Sequence, residues 1–162
     1  MATLTAWKFD TPDGADKAET ILVGLSKQEL IHVYDAATVE WEIGKKKPKT
    51  KQANNLVAAG ALGGSFWGLL FGILFFVPLL GLAVGAAAGA LGGSLADAGI
   101  GDDFINAVKE KVTPGTSALF LLSADAVQDK IKEAFEGVHA ELIHTNLSNE
   151  DEAKLRAAFA DD

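Results

Sequence analysis

Between Gln52 and Ala96 the chain runs for 45 residues without a charged side chain, and glycine recurs there by rule. Gly60, Gly64, Gly68 and Gly72 are spaced by four, as are Gly81, Gly85, Gly89 and Gly93. The step from Gly72 to Gly81 is nine, and Pro78 lies inside it. A single straight helix would carry one unbroken stripe, so the spacing predicts two helices, Ala53 to Phe76 and Leu79 to Ala96, turning at Pro78. The hexapeptide Gly-Ala-Leu-Gly-Gly-Ser occurs at both Gly60–Ser65 and Gly89–Ser94, which a hairpin would bring face to face.

Three readings of this run are open. A flexible Gly/Ala linker conflicts with the apolar content of Leu69 to Leu82. A helical pair buried in a water-soluble core and a membrane-directed glycine-zipper hairpin both fit. Glycine at every fourth position opens a flat face along which backbones approach closely, the way helices associate in lipid. In water each glycine costs about 1 kcal/mol of helix propensity relative to alanine, so two rows of four require close helix contacts. Helices of 24 and 18 residues reach about 36 and 27 Å, against a hydrocarbon core of about 30 Å. Lys45, Lys46, Lys47, Lys49 and Lys51 precede the run and suit a membrane-flanking, cytoplasmic position. The tip Phe75-Phe76-Val77-Pro78-Leu79-Leu80 offers nothing polar to headgroups or water. It fits a re-entrant hairpin, or an assembly in which apolar tips bury one another.

The flanking arms look like ordinary soluble sequence. Leu4 to Phe9 is expected as a strand, and Thr11-Pro12 as the start of a helix with Ala15, Ala18, Leu22 and Leu25 on one face. Leu30 to Tyr34 reads as a second strand. A turn near Asp35 to Ala37 leads to a third, in which Val39, Trp41 and Ile43 alternate with Glu40 and Glu42. After the run, Phe104, Ile105, Val108 and Val112 share a face of a helix from about Asp102 to Val112, stopped by Thr113-Pro114-Gly115. Thr116 to Leu122 is a buried strand. Ser123 is placed to cap a helix carrying Val127, Ile131, Ala134 and Phe135, and Val138 to Thr145 is a strand. Ser148-x-x-Asp151 resembles a capping box before a short helix with Leu155 and Phe159.

The arms echo each other. Glu29-Leu30-Ile31-His32 reappears as Glu141-Leu142-Ile143-His144, at an offset of 112. At that offset Thr11 falls on Ser123 and Trp7 on Leu119. Two β-α-β units of matching length imply an α+β fold, a ferredoxin-like duplicated sandwich with helices on one face of its antiparallel sheet. The expected division is residues 1–50 and 99–162 as the two halves of that domain, and 51–98 as the inserted hairpin.

Chemistry is sparse. There are no cysteines, and 14 basic against 22 acidic residues give a net charge of −8, a poor match for nucleic acid. Met1 leads into Thr3-Leu4-Thr5-Ala6-Trp7 without a basic then apolar leader, so no cleavable secretory signal is expected. No nucleophile elbow, phosphate-binding loop or zinc motif is present, and neither catalytic residues nor a cofactor are expected. His139 and His144, five apart on a strand, point to opposite faces, so with His32 they read as sheet-surface histidines and not as metal ligands. Asp97, Asp102 and Asp103 complement the dipole of the following helix. In an oligomer they could instead ring a pore mouth.

A charged α+β part interrupted by a Gly/Ala/Leu/Phe hairpin resembles the bacterial predicted membrane proteins of domain of unknown function 1269. The resemblance rests on Gly60 to Gly93 with their spacing and the Pro78 break, and on the flanking segments Trp41 to Gly44 and Asp102 to Val112. It implies a bacterial membrane-associated protein with no assigned activity. The functional expectation is a non-enzymatic, self-associating membrane protein, its glycine rows driving homo-oligomerisation and its α+β part and both termini in the cytoplasm. The alternatives are a soluble self-assembling shell or cytoplasmic particle with hairpins buried between subunits, and a channel or transporter. The helices offer the last no ionisable pathway residue.

Overall fold

The computed structural model of the protein describes residues 2–28, 33–46, 48–52, 67, 70–76, 100, 102–135, 140–147 and 150. In chain order the elements are β1 (Ala2–Phe9), α1 (Gly14–Lys27), β2 (Val33–Trp41), β3 (Lys49–Gln52), a π-helical turn (Gly72–Phe76), α2 (Asp102–Lys111), β4 (Thr116–Ala124), α3 (Asp125–Ala134) and β5 (Ala140–Leu147). The fold is α+β. Its five strands form one antiparallel sheet in the order β3-β2-β4-β1-β5.

β4 lies between β2 and β1, and every residue from Thr116 to Ser123 is buried. Such a strand has an apolar neighbour on both faces, which is why Ala-Leu-Phe-Leu-Leu reads as a continuous run. Leu119 and Leu121 face α1 and α3, where they pack with Trp7, Phe9, Ala15, Ala18, Leu22, Ile131 and Phe135. Phe135 meets the rings of Trp7 and Phe9 edge-on, at 5.2 and 5.9 Å between centroids. The expected apolar stripe of α1 is therefore its buried face, with Leu25 at the margin.

The opposite face departs from the expectation of helices on one side only. Leu4, Ala6, Ala37, Val39, Ala118, Phe120 and Leu122 are covered by Phe104, Ile105, Val108 and Val112 around α2, and also by Trp67, Leu70, Phe71, Leu74 and Phe75. The described part of the charge-free run is thus packed on the chain's own sheet. Burying five large side chains contributes roughly 1.5–3 kcal/mol each.

Several local expectations change. Leu30 to His32 of the expected second strand lie outside the described residues, but from Val33 onward no turn separates the second strand from the third. One strand, β2, runs from Val33 to Trp41, and the irregularity near Asp35 is a bulge, with Val33 opposite Ser123 and Asp35 opposite Leu122. Tyr34 is the extra residue, so pairing with β4 continues on both sides of it. The third strand is instead Lys49–Gln52, on the sheet edge and across the expected boundary at residue 50. Lysines there blunt an edge that could otherwise pair with another chain. Helix α1 begins at Gly14, after a turn in which the Gly14 N–H donates to the Thr11 carbonyl at 3.2 Å. Thr11 is therefore not its cap. Nor is Ser123 the cap of α3, because it belongs to β4 and pairs with Thr3 of β1.

The echo is also only partly realised. Trp7 pairs directly with Leu119 across β1 and β4, so the offset of 112 and the strand register meet at that pair. The correspondence then lapses: α1 has 14 residues and α3 has 10. Val33 and Ala140, which open β2 and β5, are 107 residues apart (140 − 33).

Candidate functional site

Two arrangements on this sheet bring polar chemistry together. The first lies under the charge-free run. The β2 bulge turns Asp35 to the face where Trp67 packs, and the Trp67 indole N–H donates to Asp35 Oδ1 at 3.0 Å. The same oxygen accepts the Ala36 backbone N–H at 2.9 Å. Asp35 and Trp67 are each only 2% exposed. A buried carboxylate needs such donors, and here one of them comes from the apolar run. The Trp67 ring stacks on Phe71 at 5.8 Å, and Phe71 meets Phe120 edge-on at 5.2 Å.

The second lies on the opposite face, where α1 crosses β2 and β3. Thr38 pairs with Lys51 and Glu40 with Lys49 across the two strands, while Asp16 reaches in from the first turn of α1. Together with Thr50 these residues line a cleft of about 410 Å³. Lys51 Nζ lies 3.2 Å from Asp16 Oδ1. Asp16 and Glu40 are hydrogen-bonded carboxyls, and the bond acts oppositely on them. It holds Asp16 below the ordinary carboxylate range, with help from Lys51. It pushes Glu40 up to about 7, a shift that burial and the Asp16 charge reinforce. Of the two, Glu40 is thus the carboxyl that holds a proton more readily and Asp16 the one that holds the charge. Burial also raises the carboxyl of Glu19, one turn along α1. The Asp16 hydrogen bond and the surrounding carboxylates raise the Lys51 ammonium. Among the described residues the Thr38 hydroxyl, 1% exposed, has no hydrogen-bond partner.

The sequence did not single out this cleft. Asp16 and Glu40 lie on separate elements, and only the crossing of α1 over the sheet edge joins them. The one available signal was the alternation of Lys49 and Lys51, which puts both on the same face of a strand.

Of the residues expected to carry function, Lys49 and Lys51 are in β3, and Lys45 and Lys46 are exposed in the loop before it. Gly72 opens the π-helical turn, and among the described residues nothing lies within 4 Å of a Cβ built on it. Gly60, Gly64, Gly68, Gly81, Gly85, Gly89, Gly93, Pro78 and Lys47 lie outside the described residues, as do His32, His139 and most of the expected C-terminal helix. Among the described residues no three histidine or carboxylate groups are placed to hold a metal ion. Also among them, no helix is long and apolar enough to cross a membrane.

The model of a family described as protein of unknown function, DUF1269, matches residues 61–160, more than half of the chain. The chain belongs to this family. The match takes in the later part of the charge-free run, α2, β4, α3 and β5, and leaves β1 to β3 outside it. Yet β1 lies between β4 and β5. The DUF1269 stretch therefore completes its sheet only with the preceding arm. No curated protein and no solved structure matches the chain.

Proposed function

We propose that this DUF1269 protein is a non-enzymatic, self-associating membrane protein. A ferredoxin-like α+β domain, built on a duplicated β-α-β plan, carries a glycine-zipper hairpin that drives homo-oligomerisation at the bacterial cytoplasmic membrane. The duplication is supported by the Trp7–Leu119 pair and by the strand order β2-β4-β1-β5 with two helices on one face. The observation that carries the functional reading is the division of labour around Gly72. Trp67, Phe71 and Phe75 turn one stripe onto the sheet, while no other described residue comes within 4 Å of a Cβ built on the adjoining Gly72. Close approach at glycine rows brings dispersion contacts that larger side chains prevent.

Replacing Gly64, Gly68, Gly85 and Gly89 by leucine is the test. Native mass of the purified protein, measured with its bound lipid, should fall to that of the single chain. An unchanged oligomer would sink the zipper. Burial of Trp67 to Phe75 on the chain's own sheet favours a second reading, a water-soluble particle with hairpins packed between subunits. A large particle recovered without detergent supports it, and strict detergent dependence removes it.

A further inference from the structure

The loop joining β2 to β3 has a character unlike the rest of the surface. Ile43 is 83% exposed, the one large hydrophobic side chain so exposed among the described residues. Beside it, Lys45 and Lys46 are exposed, as is Glu42. Five of the chain's 14 basic residues fall between positions 45 and 51, in a protein of net charge −8.

The loop is braced. The Lys45 N–H closes a turn on the Glu42 carbonyl at 3.2 Å, with Gly44 in the left-handed region at φ +85°. The Trp41 indole N–H donates to the Lys45 carbonyl at 2.9 Å, and the Gly115 N–H donates to the Trp41 carbonyl at 2.6 Å. Gly115, at φ +90°, leaves room for Ile43: a Cβ there would stand 3.0 Å from its Cγ1. Ile43 is therefore held outward on an ordered tip. Trp41 also meets Phe75 of the charge-free run edge-on, at 5.7 Å, so the loop and that run share one end of the domain.

We propose that this loop docks on an anionic lipid surface, with Ile43 entering the headgroup–acyl boundary and Lys45 and Lys46 pairing with lipid phosphates. An apolar tip with a basic surround is the chemistry that a negatively charged bilayer selects. In water the same Ile43 has nothing to cover it. The inference deepens the membrane reading above by naming a contact surface and the lipid charge it requires, and it does not depend on the glycine rows.

The experiment is co-sedimentation of the full chain with phosphatidylcholine vesicles, with and without phosphatidylglycerol, at low and high salt. Binding should need phosphatidylglycerol and weaken with salt. Lys45→Gln and Lys46→Gln should each lower the affinity about five-fold, and Ile43→Ser about ten-fold, with unfolding midpoints unchanged because all three side chains are exposed. Equal binding to both vesicles, affinity indifferent to these substitutions, or attraction to duplex DNA without vesicle binding would each overturn the proposal. The four-glycine leucine variant separates the two ideas: loss of its oligomer with lipid preference intact supports both. An unchanged oligomer beside a vanished preference in the loop variants leaves docking standing and zipper association refuted.

Discussion

The Trp67 indole N–H and the Asp35 carboxylate meet at 3.0 Å inside the protein, and through them the charge-free run is tied to the sheet at a defined point. An apolar helix can slide along an apolar face at small cost. A buried hydrogen bond restricts that freedom, because any other register takes the indole donor away from the buried Asp35 carboxyl.

Trp67→Phe keeps an aromatic ring on the sheet and deletes the donor. Asp35 still accepts from the Ala36 N–H, so the expected loss is about 1–2 kcal/mol in urea unfolding. Asp35→Asn in the Trp67→Phe background should then cost less than in the wild type. Fully additive effects would show that the two residues are not coupled.

Glu40 sets a pH dependence. Its carboxyl is raised from 4.5 to about 7 in the folded protein, chiefly by the hydrogen bond to Asp16. The folded state therefore holds a proton that the unfolded chain releases, and stability falls as pH rises from about 4.5 through about 7. Asp16, whose carboxyl is lowered, acts with the opposite sign and in a separate window, below its ordinary 3.8. Glu40→Gln should flatten the thermal midpoint between pH 4.5 and 7. A variant with the same slope as wild type in that window would show that the proton lies elsewhere.

Two glycines of α1 should behave oppositely. A Cβ at Gly14 would collide with the Phe9 Cβ, whereas at Gly24 nothing lies within 4 Å among the described residues. Gly14→Ala is expected to cost roughly 1–3 kcal/mol through overpacking. Gly24→Ala should gain up to about 1 kcal/mol of helix propensity. Chemical denaturation of both variants checks the pair, and equal effects would contradict the packing around Phe9.

Phe71 and Gly72 separate folding from association. Phe71→Ala empties a space against Phe120 and should cost roughly 3–5 kcal/mol of fold stability. Gly72→Ala meets nothing within 4 Å among the described residues and should leave unfolding within about 1 kcal/mol of wild type. Under the zipper proposal it should still weaken the oligomer by native mass. A large stability loss at Gly72 would mean that its face packs within the monomer.

How far these features could be read from the chain depends on the reach of the interactions behind them. The buried face of α1 at Ala15, Ala18 and Leu22, and that of α2 at Phe104, Ile105 and Val108, are written in helical periodicity. So is β4, whose apolar run answers to apolar layers on both sides. β3 was not visible, because Lys49-Thr50-Lys51-Gln52 has no apolar alternation and becomes a strand only by pairing with β2. The β2 bulge resembled a turn, since a local break in alternation looks the same whether the chain reverses or merely skips a residue. The Asp16–Glu40 pair was hidden for the same reason as β3: its partners are brought together by a helix crossing, which leaves no local pattern.

By itself, the sequence determined the segregation of charge, the helical stripes, the glycine spacing and its break, and the DUF1269 membership. The tertiary structure alone decided where the aromatic stripe of the charge-free run goes. Periodicity reports that a surface avoids water, and lipid, another copy and the chain's own sheet all satisfy that requirement. For Trp67, Phe71 and Phe75 the choice fell to residues far away in sequence, Phe120 in β4 and Asp35 in the bulge of β2. Their shape and hydrogen-bonding need become a single receptor only once the strands have paired.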